Sequence, residues 1–145
     1  MLNSPVPIHT GLFKIEDDTP VLLGSSCGNC GNIIFPQALS CNRCCSESMK
    51  EIVLGSHGTL WSWTIQGFPP KAPYRGPVGE DFTPFGLGYV QMNDAPLLVE
   101  SRLTICNSAD FTIGMPMQLT LEQLYTNEQG QPVQCFSFAP MEPIL

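Results

Sequence analysis

Apolar and polar positions alternate most regularly in the second half of the chain, and the pattern reads as strands. In GTLWSWTIQG, residues 58–67, Trp61, Trp63 and Ile65 share one parity and Ser62 and Thr64 the other, the period of two of a half-buried strand. These three large residues are therefore expected on one face. FGLGYVQM (85–92) predicts a second strand and PLLVESRLTIC (96–106) a third, with Asn93 and Asp94 as the turn between them. In MPMQLTLEQLY (115–125), Met117, Leu119 and Leu121 alternate with Gln118, Thr120 and Glu122; TNEQGQP then turns the chain into a fifth strand, VQCFSFAP (133–140). Five strands with a short, weakly helical link, NSADFTIG, between the third and fourth match the order of an OB-fold barrel. Composition alone equally allows another small barrel or a sandwich.

The first half has a different character. CGNCGNIIFPQALSCNRCC, residues 27–45, holds two Cys-x-x-Cys pairs, Cys27 with Cys30 and Cys41 with Cys44, separated by ten residues. Such a turn points both sulfurs to one side, and two of them facing each other make a tetrahedral S4 site of the kind zinc prefers. Gly31 suits a sharp knuckle, and the apolar stretch with Pro36 is expected to pack as a short hairpin over the metal. A thioredoxin-like site would need a helix after Cys30, and neither ferredoxin spacing is present. With all four ligands from protein, the metal has no open position and is expected to stabilise folding rather than react. Cys45 stands where ribbons usually place a Gly; it either replaces Cys44 as ligand or is a free thiol beside the site.

The expected fold class is thus mainly β, a rubredoxin-like zinc ribbon followed by a five-stranded OB-fold barrel. Residues 1–20, Pro-interrupted and acidic at EDD, read as an arm, 21–55 as the ribbon, closed by a short strand at residues 52–54, and 56–145 as the barrel domain, with the boundary marked by Gly55 and Gly58.

Charge narrows the function. Six basic residues against thirteen acidic ones give a formal charge of -7, which repels phosphate backbones and anionic lipids. Neither nucleic acid nor a membrane is an expected partner, and no run of about 18 apolar residues occurs. No leader pattern opens the sequence, and the odd count of seven cysteines argues against a disulfide framework, so a cytoplasmic location is expected. Only 13% of residues are charged, about half the usual share, which suits either a surface covered by another protein or a Pro- and Gly-rich β protein.

Outside the ribbon, Cys106 and Cys135 interrupt or end apolar strands and are expected as buried small hydrophobes, while His57 at a turn and His9 in the arm pair with no cysteine. No independent catalytic residue is expected. The long loop QGFPPKAPYRGPVGEDFTPFG is the candidate binding element. Five prolines stiffen it, and it carries Lys71 and Arg75, a third of all basic side chains, with Phe68, Tyr74, Phe82 and Phe85 as apolar anchors. These two cations are natural contacts for phosphates or for acidic groups on a partner. The other reading of the loop is a solubilising surface segment.

CGNCGNIIFPQALSCNRC, GTLWSWTI, the proline-rich loop, PFGLGYVQM, FTIGMPM and the terminal FSFAP together resemble a family of small proteins with an N-terminal zinc ribbon and a C-terminal OB-fold, long known as a domain of unknown function. The resemblance runs over nearly the whole chain after about residue 20, and extends to small subunits of thiolases that cleave benzoylsuccinyl-CoA in anaerobic aromatic degradation. It implies a non-catalytic accessory subunit in a hetero-oligomer with a thiolase-fold catalytic chain acting on a 3-oxoacyl-CoA thioester. Zinc would be the structural metal and coenzyme A a shared ligand, with Lys71 and Arg75 as contacts. Aldolases acting on acyl-CoA side chains are the other partner class the resemblance implies. A module of a different kind, binding single-stranded nucleic acid on the OB face through Trp61, Trp63, Phe85 and Tyr89, has the aromatics but lacks the basic groove. The pattern departs from the family at CNRCC and in the segment before the ribbon, where Pro20 limits any helix.

Overall fold

The computed structural model describes residues 4–141; the outermost residues of the expected arm and barrel domain lie outside the described residues. The strands are β1 (Val6–Pro7), β2 (Phe13–Glu16), β3 (Thr19–Cys27), β4 (Ile33–Ile34), β5 (Met49–Gly55), β6 (His57–Gln66), β7 (Phe85–Met92), β8 (Leu98–Leu103), β9 (Pro116–Thr126) and β10 (Pro132–Pro140). Two single 3-10 turns, Gly79–Asp81 and Ser108–Asp110, interrupt the connections.

The last five strands close a barrel in the order β6-β7-β8-β10-β9, with β9 returning to β6. All pairings are antiparallel except β8 with β10, which run parallel. This is the OB-fold that the strand order predicts. Alternate residues of each strand point inward and meet in one core, with Leu60, Val90, Val99, Met117, Leu119 and Phe138 almost wholly buried. The third strand is shorter than its apolar run suggested. It ends at Leu103, so Cys106 lies beyond it and is exposed, against the expectation of burial, whereas Cys135 within β10 is buried.

Trp61 also departs from the simple alternation. A register shift between Leu60 and Ser62 inserts one extra residue into β6 opposite β7. Such a bulge resets the phase of the strand, so that Leu60 before it and Trp63 after it both pack into the core. Trp61 is left outside, half exposed and edge-on to Tyr89, with ring centroids 6.3 Å apart. Trp63 instead stacks on Phe111 at 4.3 Å.

The ribbon is built on a second sheet. β3 pairs with β2 and β4 along one edge and with β5 along the other. The segment expected as an arm is hydrogen-bonded into the fold at two places. β1 runs parallel to β10 at Val133 and Gln134, and β2 forms a hairpin with β3. Asp17 and Asp18 at the hairpin tip both have positive φ, 50° and 64°, the backbone of a two-residue turn whose twist matches the strands it joins.

Ribbon and barrel share their apolar interior. Leu22 of β3 and Leu54 of β5 have no exposed surface and pack with Leu60, Met92 and Met117 of the barrel. The chain turns from one sheet into the other at Gly55, whose φ of 95° favours glycine, and where a Cβ would stand 2.9 Å from an Asp94 carboxylate oxygen. Among the described residues, no helix is long and apolar enough to cross a membrane.

Candidate metal centre and binding surfaces

Cys27 ends β3, and the chain folds back at once. The Gly31 N–H donates to the Cys27 carbonyl at 2.9 Å, and the N–H groups of Asn29 and Cys30 both point at the Cys27 sulfur, each at 3.4 Å. The second knuckle repeats the first. The Cys45 N–H donates to the Cys41 carbonyl at 3.0 Å, and the Arg43 N–H points at the Cys41 sulfur at 3.3 Å. Side-chain amides brace one knuckle against the other: Asn29 donates to the Cys44 sulfur at 3.4 Å and Asn32 to the Asn42 side-chain oxygen at 2.8 Å.

The two turns bring the sulfurs of Cys27, Cys30, Cys41 and Cys44 within 4.8 Å of one another. Cys27 and Cys44, and likewise Cys30 and Cys41, stand 3.6 Å apart. The edge of a tetrahedron with Zn–S bonds near 2.3 Å is about 3.8 Å, so the donor set suits a metal such as zinc, as in a zinc ribbon. The amides also tune the thiols. The N–H of Cys30, with that of Asn29, holds the Cys27 thiol below the ordinary range, and the N–H groups of Cys44 and Arg43 bring Cys41 down to about 6. At Cys30 the Asn32 amide acts in the same direction, but desolvation and the neighbouring sulfurs of Cys41, Cys44 and Cys27 outweigh it and push the thiol up to about 11.

Cys44 is the member of the cluster, and Cys45 lies outside it, exposed. Its backbone explains the irregular sequence. Gly31 and Cys45 occupy equivalent positions, four residues after the first cysteine of each knuckle, and both have positive φ, 78° and 65°. A β-carbon is unfavourable there by about 1–2 kcal/mol. Cys45→Gly is therefore expected to raise the stability of the metal-loaded protein by about 1 kcal/mol, net of the extra freedom glycine gives the unfolded chain. Denaturant melts of the two proteins measure it, and equal stability would mean that the Cys45 side chain makes a compensating contact.

Lys71 and Arg75 both sit exposed on the loop between β6 and β7. They are handled differently. The Arg75 guanidinium lies 5.8 Å over the Tyr125 ring, at the mouth of an open cleft of about 380 Å³ formed with residues 126–129 of the β9–β10 turn. That turn, read in sequence only as a link, thus forms a wall of the candidate site; nothing local in TNEQGQP marks it. Of the aromatic anchors expected on the loop, Phe68 is exposed, whereas Phe85 is covered by the Arg102 guanidinium at 3.9 Å and contacts Phe82. His57 opens β6 with its ring nitrogen 3.1 Å from the Ser56 hydroxyl, and His9 is exposed.

Known proteins are similar to this chain. The chain is similar to a DUF35 domain-containing scaffold protein of Pyrococcus furiosus, 26% identical over 121 residues and covering 83% of each chain. It is similar to the benzoylsuccinyl-CoA thiolase subunit BbsA of Thauera aromatica, 25% identical over 132 residues, covering 90% of this chain and 85% of the other. The fold resembles a solved Ltp2-ChsH2(DUF35) aldolase with a TM-score of 0.60 at 18% identity, over 83% of this chain and 84% of that one. Residues 51–122, which close the ribbon and form most of the barrel, match the family described as the ChsH2 C-terminal OB-fold domain, and this segment belongs to that family.

Proposed function

We propose that this protein is a non-catalytic accessory subunit of a thiolase-type acyltransferase acting on a 3-oxoacyl-CoA thioester. The observation that carries the reading is the likeness to a thiolase subunit across 132 residues, ribbon and barrel together, rather than across the barrel alone. In this reading the reacting cysteine and acid/base groups belong to the catalytic chain. The ribbon, residues 21–55, holds a structural zinc on Cys27, Cys30, Cys41 and Cys44, and residues 56–145 act as the barrel domain that braces the partner. Reduced thiols fit a cytoplasmic location. The exposure of both side chains on the proline-rich loop supports a role for Lys71 and Arg75 against the phosphates of coenzyme A. Their surroundings are otherwise poor in positive charge, so the removal of either should be felt.

The test is recovery of the tagged protein from its native cells, identification of the co-purifying chain, and assay of the pair. Cleavage of a 3-oxoacyl-CoA thioester only by the pair, and only with free CoA as acceptor, is the expected result. No cleavage of the 3-oxoacyl-CoA, but CoA-independent cleavage of a 3-hydroxyacyl-CoA to a carbonyl compound and a shorter acyl-CoA, would assign the partner to the aldolases instead. Within the active pair, the double change Lys71→Glu and Arg75→Glu is expected to raise the KM for CoA about tenfold or more while leaving the melting temperature unchanged. An unchanged KM would remove these residues from the CoA site. The nucleic-acid reading draws less support from the side-chain positions, because Trp63 and Phe85 already have their faces occupied by Phe111 and Arg102.

A further inference from the structure

The outer face of β6, β7 and β8 carries an apolar patch that the barrel itself does not use. Register places Gln91 opposite Leu98 and Tyr89 opposite Glu100, while the bulge in β6 turns Trp61 onto the same face against Tyr89. Trp61 is 54% exposed, Tyr89 41% and Leu98 39%. Shallow hollows of about 280 and 230 Å³ lie on either side of this row, one lined by Trp61, Pro96 and Leu98, the other by Ser62, Tyr89 and Glu100.

Charge distinguishes the occupants of such a face. The ionised side chain beside Tyr89 is Glu100, exposed, in a chain of net charge -7. Arg102, two residues further along the same face of β8, is already paired with Glu122 and laid over the Phe85 ring. The other basic residues lie on other parts of the fold: Lys14 on β2, Lys50 on β5, Arg43 in the second knuckle, and Lys71 and Arg75 on the proline-rich loop. A nucleic-acid strand would bring phosphates to a face whose one cation is already paired with Glu122 and which offers them the Glu100 carboxylate. A second copy would set Glu100 on a surface of its own sign. A protein surface with an apolar socket and a Lys or Arg at its edge meets both features, since tryptophan and tyrosine are the residues that most often anchor protein interfaces.

We propose that the Trp61–Tyr89–Leu98 face docks the catalytic partner chain, with Trp61 as the central anchor and Glu100 paired to a basic residue at the rim. This deepens the accessory-subunit reading and rests on it. The bulge then has a use, because it allows β6 to fill the barrel with Leu60 and Trp63 and still present a tryptophan outward.

The test compares the wild type with Trp61→Ser, Tyr89→Ser and Glu100→Lys for binding to the partner recovered with the wild-type protein. Trp61→Ser is expected to weaken the complex at least about 30-fold, and Glu100→Lys to slow association about tenfold with a reduced salt dependence. All three side chains are exposed, and thermal melts of each variant check that it is folded. Hydrogen exchange on the wild-type complex, expected to protect β6 to β8, is a second readout that needs no variant. A partner recovered and bound equally by the folded variants, with no protection of these strands, would overturn this inference and leave the accessory reading standing. Recovery of no catalytic chain would overturn both, as would a homodimer or nucleic-acid complex that depends on Trp61.

Discussion

Removal of the metal, by a chelator or by Cys41→Ser, is expected to unfold the ribbon and to abolish partner binding. In isolated zinc-finger peptides the metal contributes roughly 10–16 kcal/mol at neutral pH, far more than the few apolar side chains between these knuckles can replace. The effect should spread beyond the ribbon, because Leu22 and Leu54 pack in the barrel interior. Elemental analysis should find one zinc per wild-type chain and none in the variant. Proteolysis between residues 27 and 45 should follow metal loss, and an apo protein with unchanged melting and binding would contradict the assignment. The pH dependence has a definite sign. The thiolate is the ligand, so protons compete with the metal and affinity rises with pH while any thiol remains protonated. Cys30, pushed up to about 11, must lose its proton on binding at neutral pH, and Cys41, at about 6, begins to compete only below that value. A plot of log affinity against pH should therefore steepen at acid pH, where the Cys41 thiol also holds its proton in the free protein.

The second large effect is expected at Leu54. Leu54→Ala removes a side chain with no exposed surface from the place where β5 meets the barrel, and a buried Leu to Ala change costs about 2–5 kcal/mol. The upper half of that range is expected. Leu54 is held between two sheets, and a Cβ at Gly24 would already stand 2.9 Å from it, so the surrounding backbone has little room to collapse into the void. Denaturant unfolding of the metal-loaded protein measures the change. A loss below about 1 kcal/mol would show that the ribbon packs on the barrel less tightly than Leu22 and Leu54 indicate.

The candidate site was legible in sequence where its geometry is local. The knuckles depend on spacing alone, since a Cys-x-x-Cys turn closes within five residues and its amides are its own; all four clustered cysteines could be named for that reason. Cys45 shows the limit. Spacing leaves Cys44 and Cys45 both available, and it is the left-handed backbone at residue 45 that directs one sulfur inward and the other outward. Arg75 could be named from composition, but its neighbours Tyr125 and residues 126–129 lie some fifty positions away, and only barrel closure brings the two loops to one cleft.

The same division holds for the fold. Alternation within a strand is a property of consecutive residues, so the sequence by itself determined the five barrel strands and, through their order and the weak link after the third, the OB arrangement. It also determined the four cysteines that the fold brings together. What required the tertiary structure was every feature set by pairing between distant segments: the parallel contact of β8 with β10, the attachment of β1 and β2 where an arm was expected, and the end of β8 before Cys106. The outward turn of Trp61 belongs with these. A bulge is a mismatch between two strands, invisible in either one alone, and a single extra residue in β6 decided which of two tryptophans fills the core and which faces outward.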